Sequence, residues 1–143
     1  MTDLGEWDGV DELDDETTEH EDREPDLFYG SVEQFVMEKL RHQFKRRVGT
    51  RSGSNVWAKD WWNHPEAVSR LEALWRAWEH LRQDPALGMS VWWRDHADYH
   101  MNVLLSENGP FAGAENLGEN KNGEPLPCDP APDSWFPDVR RQL

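Results

Sequence analysis

The sequence has only one cysteine, Cys128, and therefore cannot form an intrachain disulfide. Disulfides are typical of small domains from oxidising compartments, and without one the expected location is cytoplasmic. Cys128 stands between Pro127 and Asp129, with no basic residue beside it in the sequence to lower its pKa. We therefore expect no reactive thiol.

Long hydrophobic runs are also missing, since no stretch approaches the roughly 18 apolar residues of a membrane-spanning helix. The first residues include Asp3 and Glu6, where a secretory signal peptide would be basic and then apolar. We therefore predict a protein that is neither inserted in a membrane nor secreted.

Motifs that carry chemistry are scarce as well. The sequence contains no Gly-rich phosphate-binding loop, no nucleophile elbow and no cysteine pair. Paired carboxylates are confined to the first 26 residues. These absences favour a non-enzymatic protein for which no cofactor is expected.

Acidic residues are abundant but unevenly distributed. The formal net charge is -14, and residues 1–26 carry 13 Asp or Glu against the single Arg23. Residues 27–143 hold 16 acids and 14 bases, so they are nearly neutral. An acidic segment with few apolar residues cannot offset its chain entropy, so residues 1–26 are predicted to be a disordered tail. The alternative is a transient amphipathic helix that folds onto a basic partner, since four apolar residues recur at every third position: Leu4, Trp7, Val10 and Leu13.

Tryptophan is concentrated in one block, since seven of the nine lie within residues 57–93. Aromatic side chains bury the most area per residue, and only 36% of this chain is hydrophobic. The predicted core therefore centres on Trp57, Trp61, Trp62, Trp75, Trp78, Trp92 and Trp93.

Apolar periodicity and end signals predict a first helix at about 31–48. Ser31 and Gln34 have the spacing of a capping box, and Gly49 is expected to end the helix.

Two further helices are predicted at about 64–83 and 90–106. Pro65 suits the first turn of the second helix, and Asp84 with Pro85 ends it. The connection between the two helices is short, so we expect them to be antiparallel neighbours.

The predicted fold class is all-α, a small three-helix domain with a Trp-rich core. The helical domain covers 27–111, between the disordered acidic N-terminal tail and an irregular Pro/Gly/Asn-rich strap over 112–143. We expect Trp135, Phe136 and Val139 to pack this strap back onto the helices.

Residues 39–59 form the best candidate for a binding surface, because they hold seven cations and no acid. Such a run could contact phosphates or a partner protein, or it could be a solvated helix face. A further hypothesis is that the acidic tail shields it. The candidate residues are Lys39, Arg41, Lys45, Arg46, Arg47, Arg51 and Lys59.

Adjacent tryptophans cannot share one environment. At about 100° per residue, Trp92 lies a quarter-turn or more from Trp93, which we expect to face the core. Trp61 and Trp62 likewise cannot both point inward. Trp62 and Trp92 are therefore predicted as exposed aromatic contacts.

His96 and His100 are one α-helical turn apart, a spacing that metal sites use. On an α-helical wheel Asp95 and Asp98 point away from them, so a third ligand would have to come from another segment. We expect structural histidines and no bound metal, and we keep a metal-dependent enzyme at this pair as an alternative.

Four blocks of sequence together resemble the uncharacterised family called domain of unknown function 4913, over roughly residues 28–137. They are Trp61-Trp62-Asn63-His64-Pro65-Glu66-Ala67-Val68, Arg70-Leu71-Glu72-Ala73-Leu74-Trp75-Arg76-Ala77-Trp78-Glu79, Ser90-Val91-Trp92-Trp93-Arg94-Asp95-His96 and Gly109-Pro110-Phe111. The resemblance implies a protein of high-GC Gram-positive bacteria, often encoded on conjugative plasmids, integrative elements or phages, and it implies no activity. Family members often carry cysteines near the positions of Ala58 and Ala114, so any metal site built on those thiolates is lost here.

We therefore predict a non-enzymatic accessory or adaptor protein of a bacterial mobile element, acting on an unknown protein partner. The alternative is a nucleic-acid-binding accessory factor that uses the basic run from Lys39 to Lys59. Salt separates the two, because nucleic-acid binding weakens steeply as salt is added and an apolar protein interface does not. The sequence predicts no oligomeric state.

Overall fold

A computed structural model describes residues 26–140, which form an all-α fold of three helices, as predicted. Helix α1 covers residues 32–43 and joins Val32–Phe35, Val36–Leu40 and Arg41–Gln43. Helix α2 is Pro65–Leu81 and follows a 3-10 turn at Trp61–Asn63. Helix α3 covers residues 88–105 and joins Gly88–Val91, Trp92–Ala97 and Asp98–Leu105.

Within residues 26–140 there is no β-strand, and the one isolated bridge pairs Ala58 with Leu117. No helix in this part of the chain combines the length and the apolar character needed to cross a membrane. The predicted acidic tail lies outside the described residues, apart from Asp26.

Helix α1 begins with a cap, as its sequence predicts. The Gln34 backbone N–H donates to Ser31 Oγ at 3.1 Å, while Gln34 Oε1 accepts from the Gly30 N–H at 2.9 Å. The second bond reaches one residue further back than in a standard capping box, so the cap also fixes the chain that enters the helix.

Helix α1 ends at Gln43, well before the predicted residue 48. Phe44 leaves the helical conformation and buries its ring. Asn120 then holds the chain beyond it, because its Oδ1 accepts from the Val48 N–H at 2.9 Å and its Nδ2 donates to the Arg46 carbonyl at 3.0 Å. These bonds come from the strap, more than 70 residues away, where local periodicity carries no information about them.

The predicted exposure of Trp92 is wrong, because Trp92 is fully buried and Trp93 is only half-buried. The cause is a π-helical stretch at Trp92–Ala97. Hydrogen bonds from i to i+5 turn the chain less per residue than the 100° of an α-helix, so the buried stripe steps by five residues to Ala97 and then by four to Met101. A wheel drawn for an α-helix selects the wrong tryptophan.

The loops and the strap complete the core. Trp57 and Trp61 are fully buried although neither belongs to α1, α2 or α3. Trp57 packs edge-on against Phe111, with ring centroids 5.2 Å apart, and Trp61 stacks on Phe136 at 5.8 Å. Phe136 and the fully buried Leu126 therefore pack the strap on the helical core. Trp135 and Val139, predicted to do the same, are both about half exposed.

Candidate contact surfaces

Three cationic residues of the predicted basic run contact or bond to other parts of the domain. Lys39 places Nζ 4.7 Å from the centre of the Trp78 ring. Arg41 donates from Nε to the Leu126 carbonyl at 3.0 Å. The backbone of Lys59 bonds to the strap on both sides, from its N–H to Asn116 and from its carbonyl to Asp129. Partners distant in sequence therefore hold these residues to the domain, and they contribute least to an open surface.

The other four cations are exposed and lie within seven residues, and we call them the cation cluster: Lys45, Arg46, Arg47 and Arg51. None of them forms a salt bridge with another residue of the described range 26–140. The Arg46 guanidinium covers the Phe44 ring at 4.1 Å. The predicted run is thus reduced to a short loop surface just beyond α1.

A polar cleft of about 520 Å³ opens beside the cation cluster. Arg47 and Arg51 line it together with the acid Glu119 and six uncharged residues: Val48, Gly49, Thr50, Ser54, Asn55 and Asn120. Glu119 accepts a hydrogen bond from the Thr50 hydroxyl at 2.9 Å, and the Glu107 carboxylate accepts from the Gly53 N–H. The fold therefore brings two acids to a loop that has none of its own.

A second opening lies along the first turns of α1, and we call it the apolar groove. It has a volume of about 580 Å³ and is lined by Phe28, Tyr29, Glu33, Gln34, Met37, Glu38 and Arg140. Phe28 is 59% exposed, which is unusual for a phenylalanine held by a folded domain. Arg140 is neutralised by Asp138 and also donates to the Phe28 carbonyl at 3.0 Å, so among the described residues that line the groove the charge left open at the rim is that of Glu38.

The apolar groove carries a negative field that affects Tyr29. Burial raises the pKa of the Tyr29 phenol, and the carboxylates of Glu38 and Glu79 raise it further. Glu38 is exposed at the rim, whereas Glu33 accepts a bond from the Ala131 N–H of the strap. The groove therefore combines an aromatic floor with a carboxylate that is free to meet a cation.

Glu79 anchors the wall of this groove from inside. Its side chain is 3% exposed, yet its two carboxylate oxygens accept four hydrogen bonds. The donors are Phe28 N at 2.8 Å, Tyr29 N at 2.9 Å, Trp75 Nε1 at 3.0 Å and Arg82 Nε at 3.0 Å. Burial pushes its pKa up, but the four hydrogen bonds outweigh burial and hold the pKa of Glu79 below its ordinary value.

Trp62, the other predicted aromatic contact, is half-buried. Its indole Nε1 donates to the Asp129 carbonyl at 3.1 Å, and its ring meets Trp135 edge-on at 5.1 Å. Trp135 is 49% exposed and follows Ser134, whose φ of 71° is the one positive value among non-glycine residues within 26–140. The strap thus covers part of Trp62 and presents Trp135 beside it.

The two histidines of the predicted metal candidate lie on α3 and are half-buried. His100 Nδ1 is 3.2 Å from Arg70 Nη1. Burial lowers the pKa of His100, and the positive charges of Arg70 and His96 lower it further. Across residues 26–140, no three His, Cys, Asp or Glu side chains come together in a group that could hold a metal ion.

Cys128 is half-buried beside two residues from other segments. Burial raises the pKa of the Cys128 thiol to about 11, and the neighbouring Trp57 indole and Arg41 guanidinium offset only part of that rise. A basic neighbour is therefore present after all, supplied by α1, but the thiolate stays disfavoured at neutral pH.

Sequence reasoning missed the residues that shape both openings. Phe28 and Met37 line the apolar groove, and Thr50 and Ser54 line the polar cleft. The sequence gives a partial signal for the acidic rim of the groove, because Glu38 stands directly before the basic run that begins at Lys39. The polar residues of the cleft carried no signal, because their role depends on Asn120 and Glu119 from the strap.

Comparison with known proteins identifies a family. The family model described as Domain of unknown function (DUF4913) matches residues 29–132. Neither the search of curated proteins nor the search of solved structures finds a match.

Proposed function

The chain belongs to the DUF4913 family, and we propose that it acts as a non-enzymatic accessory or adaptor protein that binds a partner protein through the apolar groove. Its assignment to the cytoplasm of a bacterium and to a mobile element rests on the cysteine content and on the family resemblance described above.

The observation that carries the proposal is the chemistry of the apolar groove. Exposed Phe28 and half-buried Met37 offer apolar contact, and burying such surface stabilises a complex by about 25 cal/mol per Å² before entropic costs. The free charge of Glu38 favours a cationic partner and disfavours an anionic one. The occupant that fits is a basic amphipathic segment of a partner protein, with an apolar residue seated between Phe28 and Met37.

The proposal is tested by comparing charge-reversal variants as baits. Affinity capture with the full chain from the native host identifies the partner, whose affinity is then measured by calorimetry. We expect Glu38→Lys to weaken binding about tenfold, because it replaces attraction to the basic segment with repulsion at the rim. Glu72→Lys, the same change on the exposed face of α2, should leave the affinity unaltered.

The possible results distinguish a wrong binding site from a wrong function. A partner that binds both variants equally would exclude the apolar groove as the contact. If no protein is retained by either the parent chain or Glu72→Lys, the adaptor function itself is wrong.

The cation cluster supports a second candidate function, nucleic-acid binding regulated by the acidic tail. Four exposed cations without a salt-bridge partner in the range 26–140 suit contacts with phosphates. The tail joins the domain at Asp26, whose carbonyl accepts from Arg82 Nη2 at 2.7 Å. Twenty-five extended residues span up to about 85 Å, whereas α1 is only about 18 Å long, so the tail can reach the cluster.

Neutralising the tail tests this regulation in the full-length chain. In a tail-neutral variant, every Asp and Glu of residues 1–25 is replaced by the corresponding amide. We expect retention on immobilised nucleic acid at low salt to increase severalfold, because an intramolecular polyanion no longer competes for the cation cluster. Equal retention of the parent chain and this variant would show that the tail does not shield the surface.

A further inference from the structure

The loop that carries Arg51 is held in one shape before any ligand arrives, and Asn120 holds the chain on both sides of Arg47 through its bonds to Arg46 and Val48. The Gly49 N–H donates to the Asn55 carbonyl at 3.0 Å, which closes the loop. Within it, the Ser54 N–H donates to the Arg51 carbonyl at 3.1 Å, and Gly53 adopts the positive φ of 85° that this tight turn requires. A loop fixed in this way loses little conformational entropy when it binds a ligand.

The polar cleft offers ligands suited to one phosphate group. The planar guanidinium groups of Arg47 and Arg51 can each present two N–H donors to phosphate oxygens. Ser54 adds a hydroxyl at the cleft, next to Gly49. The cleft is dominated by polar groups and two positive charges, which excludes an apolar ligand as its natural occupant.

The acids beside the cleft determine which form of nucleic acid can bind there. Glu119 lines the cleft itself, and Glu107 is bonded to the same loop at Gly53. A rigid duplex laid across the cation cluster would bring several phosphates towards these carboxylates. A flexible single strand can place one phosphate between Arg47 and Arg51 and direct its neighbours away from Glu119.

We propose that the polar cleft binds one phosphodiester group of single-stranded nucleic acid, with Arg47 and Arg51 as the charged ligands and Glu119 as the group that limits affinity. This inference rests on the nucleic-acid function named second above. The added points are that the nucleic acid is single-stranded and that only some residues of the basic run bind it, while the others maintain the fold.

Fluorescence anisotropy with a labelled single-stranded 12-mer tests the proposal, using the full chain and the tail-neutral variant as parallel backgrounds. Replacing both arginines, Arg47→Gln with Arg51→Gln, should weaken binding about tenfold or more. It should also reduce the slope of log affinity against log salt by about 0.7, since the cleft holds one phosphate and each phosphate contact on a single strand contributes about 0.7. The control removes the same charge elsewhere, with Arg76→Gln and Arg94→Gln, and should change affinity less than twofold.

Glu119→Gln supplies a gain of function that unfolding cannot imitate. Its amide oxygen can still accept from the Thr50 hydroxyl, while the negative charge is gone, so we expect tighter binding by severalfold. A duplex of the same sequence should bind more weakly than the single strand.

Each contrary result has its own meaning. If the 12-mer binds but the cleft variants match the control, the cleft is not the site while the nucleic-acid function stands. Tighter binding of the duplex would overturn the single-strand assignment. If the 12-mer binds neither background, the nucleic-acid function and the cleft proposal both fall, and the adaptor function is untouched.

Discussion

Replacing Glu79 with glutamine is expected to lower the free energy of unfolding by about 3 kcal/mol at pH 7. The Glu79 carboxylate is buried and accepts four hydrogen bonds, two of them from the backbone of Phe28 and Tyr29. A glutamine has one acceptor oxygen and turns an NH2 group towards donors that then lack a partner. Urea unfolding followed by tryptophan fluorescence measures the difference.

The pH dependence shows whether the charge of Glu79 is responsible. Its pKa in the folded protein lies below its ordinary value, so ionised Glu79 stabilises the fold above the pKa of the unfolded chain. That stabilisation is lost as the pH falls through the lowered folded pKa. The gap between the parent chain and Glu79→Gln should therefore shrink in acid.

A matched control is available on the same helix. Glu72 is exposed on α2, so Glu72→Gln should alter stability by less than about 0.5 kcal/mol. If Glu79→Gln changes the free energy of unfolding as little as this control does, the four hydrogen bonds do not hold the chain that enters α1. A gap that stays constant from pH 7 to pH 3 would point to side-chain shape and exclude charge as the cause.

The stability of this anchor bears on function, because Phe28 and Tyr29 line the apolar groove. Glu79 fixes their backbone from α2, and Arg140 bonds the Phe28 carbonyl from the strap. Gly30 permits this approach, since a Cβ at that position would collide with the Asp138 carboxylate. Two distant segments, α2 and the strap, thus hold the groove wall in place, which lowers the ordering cost of binding a partner.

The helices were predictable because their signals are local. Ser31 caps α1 and Pro65 opens α2 as their sequences indicate, and the apolar stripe of α2 places Leu71, Leu74 and Trp78 in the core. The burial of Glu79 was not predictable. Nothing in its spacing shows that the N–H groups of residues about 50 positions earlier meet its carboxylate.

The candidate surface was predictable only as a stretch of charge. Lys39 and Arg41 belong to the same run as Arg47, yet Trp78 and Leu126 hold the first two to the domain. These partners come from α2 and the strap, and a linear sequence does not place them beside α1. Composition therefore located a basic loop, and tertiary contacts determine which of its cations are available to a ligand.

Trp92→Ala is expected to lower the free energy of unfolding by about 4 kcal/mol, whereas Trp93→Ala should lower it by about half as much or less. Trp92 is fully buried and its indole N–H donates to the Leu74 carbonyl at 3.1 Å. Trp93 is half-buried and stacks on Phe44, with ring centroids 6.0 Å apart.

The comparison tests the π-helical stretch at Trp92–Ala97, because an uninterrupted α-helix would reverse the order of the two costs. Urea unfolding of both variants, followed by circular dichroism so that losing an indole does not remove the signal, supplies the two free energies. Trp92→Phe separates packing from hydrogen bonding, since it keeps an aromatic ring and loses the donor to Leu74. A larger cost for Trp93→Ala than for Trp92→Ala would mean that the stripe follows the α-helical register, and Trp92 would again be a candidate contact residue.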